Sequence, residues 1–540
     1  MRRILSNQGG FATLIALLMI GMLTLIGLAV LSSSDNEVTI AGNELQDMRS
    51  FYAAEAGLQK AAARLQYAYD STNAPPTVMP AGSDTLNQCV VAYTTVDNGP
   101  AQQRNLEQGA LAGLHALIKS FSITSTGVSL IDRARVQMSE SFETALVPIF
   151  QFAVFYGNDL EIAPGPDMTL IGRVHSNGNL WLQANSSLRL DSYVTASGDI
   201  LHGRKGPGSA GNGDVLIKNA DGNYVSMKDG SGWLQATDSY WYDSSVARWQ
   251  GRVQDAAHGQ GELQVPLNGA SDDPHKLIEP ATGNPDSYEN KATLKFINGT
   301  AYKKVGGVWT DMTASMIADG VIQFNNNQFY DGREGTNVDV MELDVKKMYE
   351  NGYQPDNGVI YFSDGGSGYP ALRLKDGAEL KAPLTVASEN PVYTLGDYNK
   401  TNKKPAAIMA DAVTFLSGTW DDSKGALNKN NRVATPTVVN ASFLTGNVET
   451  TSSDYSGGLE NLPRFLEVWD GTKFTWRGSM VNLWNSRQAD GTWNGNYYSP
   501  PIRDWAYDTD LDNPNKLPPE TPVVRIFQSI GWKQEYVGYN

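Results

Sequence analysis

Between Phe11 and Leu31 the chain carries no ionisable side chain. At about 1.5 Å of rise per residue such a run makes a helix about 31 Å long, matching the hydrocarbon core of a bilayer. Arg2 and Arg3 precede it without an acid, and Asp35 and Glu37 come after it. The positive-inside bias therefore places the start in the cytoplasm and the remainder outside, as a single pass. A secretory signal has a shorter apolar stretch, about 7 to 15 residues, with its cleavage site behind it. Here the polar leader MRRILSNQGG ends in Gly9-Gly10 ahead of the apolar run.

Composition narrows the possibilities for the rest of the chain. A length of 540 residues exceeds one ordinary domain. With 41% hydrophobic and 19% charged residues the chain can bury cores and lacks the charge excess of disordered chains. The 53 glycines and 25 prolines, set among Asn-, Ser- and Asp-rich stretches, favour short strands and many turns. A net charge of −16 opposes a sequence-independent grip on nucleic acid. Cys89 is the single cysteine, so neither an intrachain disulfide nor a cysteine-cluster metal site can form.

Past the apolar run, Val38, Ala41, Leu45, Met48 and Tyr52 recur at 3,4,3,4 spacing, which puts them on one helical face. FYAAEAGLQKAAARLQYAYD supplies further helix formers, and Pro75-Pro76 stops the helix. A polar leader ending in glycine before an apolar helix resembles the class III leader of type IV pilins and type II secretion pseudopilins. That resemblance implies cutting by a prepilin peptidase between Gly10 and Phe11, with methylation of Phe11. It also implies a long helix that spans the membrane with its first half and packs on a head with its second. In most pilins the fifth mature residue is Glu; here it is Ile15. A terminal ammonium buried in an apolar filament core without that carboxylate is costly, which suits a low-copy subunit. The segment FYAAEAGLQKA is similar to PilX-type proteins, and Glu55 within it reads either as a partner contact or as a solvated carboxylate. A plain membrane anchor with an accidental Gly-Phe junction is the alternative.

The remainder reads as α+β. A small head over 75–150 combines a strand at LNQCVVAYTTV, a helix at QRNLEQGALAGLHALIKSF and a hairpin from FSITSTG and RARVQMSESFE. From residue 151 short alternating pieces recur every eight to twelve residues, roughly: Leu160 with Ile162, Leu170 with Val174, Leu180 with Leu182, Leu188 with Leu190. The texture returns at Val359, Tyr361, Leu372, Leu374, Leu384 and Val386. This is the pattern of a β-solenoid, in which each turn buries its apolar face against the next. The expected organisation is a leader at 1–10, a transmembrane helix at 11–31 and its continuation at 32–74, then the head. A first solenoid block at 151–203 precedes an inserted region at 204–356 and a second block at 357–440, and an aromatic-rich region at 441–540 closes the chain. Trp469, Trp476, Trp484, Trp505, Tyr497, Tyr498 and Tyr507 in that last region are expected to cap an open end, with a sugar-stacking surface as the alternative.

Motifs for catalysis fail on context. Gly206, Gly208 and Gly211 satisfy G-x-G-x-x-G, but a turn comes next instead of a helix, and there is no Gly-Lys dipeptide or G-x-S-x-G elbow. The five histidines never fall at i, i+4, and His115 is expected within the head helix. Asp508, Asp510 and Asp512 resemble the opening of a calcium loop, but Asn513 stands where Gly is needed and Pro519 where Glu is needed. No catalytic residue, cofactor or nucleic acid is expected. The resulting expectation is a minor pilin-like subunit, anchored in a bacterial inner membrane, whose partners are the prepilin peptidase, other minor pilins and the pilus assembly platform. The alternative is a membrane-anchored carbohydrate-binding or carbohydrate-active β-solenoid.

Overall fold

The computed structural model describes residues 8–131, 133–206, 208, 210–269, 271–451, 455–493 and 497–536. Arg2 and Arg3 of the leader lie outside these residues, as do Pro207 and Ser209 of the glycine motif. The chain divides into two units: Met1–Ala101, Lys119–Thr144 and Phe527–Asn540 form the first, Gln102–Ile118 and Ala145–Ile526 the second.

The first unit begins with one unbroken helix, α1 (Gln8–Thr72). It ends where Asn73 turns into the left-handed region at φ 53° and its N–H closes on the Tyr69 carbonyl, two residues before the prolines. The sheet runs in the order β1 (Ala81–Leu86), β2 (Cys89–Asp97), β4 (His115–Ser129), β5 (Arg135–Pro148) and the C-terminal strand Val523–Tyr536, with β3 (Gln102–Asn105) also pairing β4. The last residues described therefore complete the head and do not extend a cap. Ala54, Leu58, Ala61, Ala62, Leu65 and Tyr69 of α1 pack on Tyr93, Phe121, Ile123, Val136, Met138 and Phe142. Cys89 is buried and free.

The helix expected across QRNLEQGALAGLHALIKSF is not formed. Its ends are strands β3 and β4, and the leucines between them line a loop. Gly109 and Gly113 sit at φ 75° and 90°, incompatible with a helix, and Ala116 and Ile118 are buried with period two. His115 thus starts a strand, its Nδ1 3.4 Å from Asn105 Oδ1.

The second unit is a stack of parallel turns. Each turn of the first block lays one short strand on each of three sheets. The first turn is β6 (Val154–Tyr156), β7 (Leu160–Ile162) and β8 (Met168–Leu170). The second is β9 (Val174–Ser176), β10 (Leu180–Leu182) and β11 (Ser187–Leu190). The third is β12 (Val194–Ala196), β13 (Ile200–His202) and β14 (Asp214–Lys218). Register places Val154, Val174 and Val194 in one column and Leu160, Leu180 and Ile200 in another. Like residues thus stack on like, and all six are fully or almost fully buried. At the corners, Asp159 Oδ1 accepts from the Asn179 N–H and Asn179 Oδ1 from the Asp199 N–H, so each Asx side chain satisfies the next turn's backbone.

From the second block onward the parallel stacking continues on the sheet of β6, through Val359–Ser363, Leu384–Ser388, Ala406–Ala410, Ser442–Thr445 and Met480–Asn482. The last of these strands pairs in parallel with β6, Met480 opposite Val154. One continuous ladder results, but its join lies between the end of the second block and the start of the first. Residues 255–293 carry the chain from one extremity, where Val253–Gln254 pairs β12, to the other, where Leu294–Ile297 pairs Val359–Ser363. That crossing spans nine inter-strand spacings, about 43 Å.

Two expectations about the body change accordingly. Region 204–356, expected as an insertion between the two blocks, is itself part of the stack, to which it contributes β14, Leu294–Ile297 and Thr336–Asp344. It also supplies the core with Trp241 and Trp249 from helix α2 (Trp241–Trp249), and with Met316 and Met348. The aromatic-rich region does not cap an end: Ser442–Thr445 and Met480–Asn482 are interior strands of the ladder. Trp469, Trp476, Trp505 and Tyr498 fill the core, whereas Trp484 and Tyr507 lie in a second cluster beneath the 255–293 crossing.

Candidate functional site

The apolar run forms the first half of α1 and is exposed along its whole length. Among the described residues α1 is the one helix long and apolar enough to cross a membrane, and none of its most apolar window is buried. Phe11 is 70% exposed and Leu31 64%. Its hydroxyls are satisfied locally: Thr13 donates to the Gly10 carbonyl at 3.1 Å and Thr24 to the Ile20 carbonyl at 2.7 Å. Both hydroxyls of the rod are therefore compatible with an apolar surrounding. Gly10 and Phe11 lie in the exposed helix, and Ile15, one turn on from Phe11, presents a hydrocarbon side chain where a carboxylate would be needed to pair an ammonium.

The second half makes the opposite use of its residues. Gln46, Ser50, Ala53, Ala54, Leu58, Ala61 and Leu65 are buried against the sheet. The Ser50 hydroxyl donates to the Ala134 carbonyl at 3.0 Å, and Lys60 pairs with Asp84 at 2.7 Å. A side chain at Gly127 would run into the Ser50 carbonyl, so the strand crosses the helix backbone at glycine. The stripe Val38, Leu45, Met48 and Tyr52 is not part of this packing: these residues are 70%, 43%, 52% and 62% exposed. Spacing identifies a face, but here the apolar spacing marks the face the head leaves open. Glu55 is half-buried.

The remaining sequence candidates are held structurally. Asp508 and Asp510 both pair with Lys403, at 2.7 and 2.9 Å, Asp510 also with Lys516 at 2.7 Å, and Asp512 accepts from the Tyr507 hydroxyl at 2.8 Å. Asp508 additionally N-caps the turn Thr509–Asp512. Lysines thus stand where a calcium loop would need its cation, and the described residues contain no group of three His, Cys, Asp or Glu arranged for a metal. Trp469, Trp476, Trp484, Trp505, Tyr498 and Tyr507 are buried and Tyr497 half-buried, which leaves little of them for stacking sugars. A polar cleft of about 330 Å³ lies beside Asp159, Glu161 and Glu449, and Lys205 bridges Asp159 and Glu449 across it.

One arrangement escapes sequence reasoning. Ser245 Oγ lies 2.8 Å from His258 Nε2, and His258 Nδ1 lies 2.8 Å from Asp255 Oδ1. This has the outline of a nucleophilic triad, yet Ser245 is fully buried within α2 and hydrogen-bonded to the Tyr242 carbonyl, so no substrate reaches it. Asp255 also accepts from Trp241 Nε1 at 2.6 Å, and the group anchors the helix to the start of the 255–293 crossing. The spacing of these three residues matches no short motif, so no local signal marks them. His175, equally buried, is pushed down to about 4 by desolvation and bridges Thr195 and Asn177 as a neutral ring.

No protein-family model matches the chain, and no curated protein does. Among solved structures the chain is similar to the competence-associated pilin ComZ from Thermus thermophilus, at 12% identity and a TM-score of 0.30, covering 92% of this chain and 98% of that one.

Proposed function

We propose that the protein is a minor pilin-like subunit of a type IV pilus or related secretion filament. The observation that carries this reading is the division of α1: one continuous helix whose first half offers hydrocarbon to its surroundings and whose second half is fastened to a head. An assembly subunit needs both, since the first half has to exchange lipid for neighbouring helices while the head stays folded. Residues 11–31 hold the precursor in the inner membrane with its start in the cytoplasm. A prepilin peptidase removes the leader after Gly10 and methylates Phe11, and the assembly platform and other minor pilins receive the processed chain. Ile15 supplies no carboxylate to a terminal ammonium, which favours a low-copy position over repeated stacking. The protein acts through assembly and display, not catalysis.

The test is the mass of the native N-terminus. The mature chain is expected to begin at methylated Phe11, and Gly10→Ala to accumulate uncut precursor. A chain that still begins at Met1 in wild-type cells would reduce the protein to a tethered β-structure.

A further inference from the structure

Resting on that reading, the exposed stripe of α1 can be assigned a more specific partner. Leu45, Met48 and Tyr52 form its upper part, and a groove of about 390 Å³ opens beside it, lined by Glu44, Asp47, Met48, Phe51, Tyr52 and Gln534 of the C-terminal strand. Its floor is apolar and its rim acidic. The acids are not confined to the groove: Glu37, Glu44 and Glu55 are seven and eleven residues apart, both close to whole numbers of helical turns, so they form a row alongside the stripe. Glu37 and Glu44 are exposed, and no Lys or Arg pairs with Glu44 or Asp47 among the described residues. Arg49, the nearest cation on the helix, reaches Gln88.

We propose that this groove and stripe receive an amphipathic helix of a different subunit, one that carries apolar residues at i, i+3 or i+4 spacing with Lys or Arg flanking them. Charge selects this occupant. A second copy of this chain would set its own acidic row against the first, and between residues 32 and 59 it has Arg49 as its only cation. An anionic lipid surface is disfavoured by the same carboxylates. A basic-flanked helix buries Met48 and Tyr52 and neutralises Glu44 and Asp47 at once, which gives the contact its specificity.

The experiment uses the full-length chain in the membranes of its own cells, with photoreactive p-benzoylphenylalanine replacing Tyr52. Irradiation and then mass spectrometry are expected to give adducts with the N-terminal helix of another subunit, at a residue within one turn of Lys or Arg. Glu44→Lys combined with Asp47→Lys should lower adduct yield about threefold to tenfold, and Gln66→Lys, an exposed change farther along α1, should leave it unchanged. Replacing the partner's flanking cation by Glu should restore the yield of the double variant. Adducts with a second copy alone, with lipid alone, or with a yield indifferent to the charge reversal would overturn the proposal. If Phe11 is methylated and the adducts ignore charge, the partner assignment fails and the pilin-like reading stands; an unprocessed Met1 removes both.

Discussion

Along α1 the residues before Leu31 are larger and more apolar than those after Ser50, yet it is the second stretch that the chain buries. Leu17, Leu23 and Leu25 are 72%, 68% and 68% exposed, whereas Ala54, Ala61 and Leu65 are fully buried. The same contrast holds among the glycines. Nothing lies near Gly21, Gly27 or Gly42, but a side chain at Gly57 would meet Ser125 and Val91. Small residues mark where the helix closes on its own sheet, because close backbone approach needs them. Large aliphatic residues occur in both stretches: Leu58 and Leu65 interleave with the small residues on the sheet, whereas the leucines before Leu31 face away from the chain. Hydrophobicity alone does not distinguish a buried helix face from an exposed one: Leu58 and Leu65 are buried, whereas Leu17 and Leu23 are exposed.

The largest expected effect on this contrast comes from Leu65→Ala, which should cost the head about 2–5 kcal/mol by removing a fully buried side chain. Hydrogen exchange of the β2 and β4 amides in the detergent-solubilised chain measures it, and Leu25→Ala should leave those amides unchanged. Equal losses from the two would mean that the first half also packs on the head. Next in size, Gly127→Ala should cost about 1–3 kcal/mol by pushing a methyl against the Ser50 carbonyl, while Gly27→Ala should leave the head intact.

The smallest effect is electrostatic. The hydrogen bond from Lys60 holds Asp84 below its ordinary value near 3.8, and that from Lys119 does the same for Asp97. Carboxylates depressed on folding stabilise the head at neutral pH and lose that contribution as pH falls through the lowered folded values, below about 4. Both pairs are exposed enough for salt to weaken them. A shallow, salt-sensitive loss of head protection on acidification is therefore expected, and Lys60→Ala should make it shallower without altering the first half of the helix.

Much of the architecture is legible in the sequence where its cause is local. An uncharged run, a 3.6-residue period and a pair of prolines define α1, and alternation at Leu160, Ile162, Leu180 and Leu182 defines the turns of the stack. The stretch after Gln102 misleads because Leu106, Ala110 and Leu114 mimic helical spacing while actually folding inward from a loop around Gly109 and Gly113. Long-range pairing is what local residues do not reveal. Nothing near Met480 indicates that its neighbour is Val154, and nothing in Val523–Tyr536 indicates that it joins the head's sheet, because strand partners leave no local mark. The open stripe on α1 is legible as a face but not as an exposed one, since spacing is the same whichever side the head occupies.

The position of β6 has a consequence for biogenesis. It lies between β9 and Met480–Asn482, so the first turn of the body to be synthesised becomes the middle of the finished stack. Until the final turn emerges, that strand presents a bare edge, the kind of template on which chains mispair. Completion of the body is then one late sealing event, and a truncation anywhere before Met480 leaves the edge raw however many turns come before it.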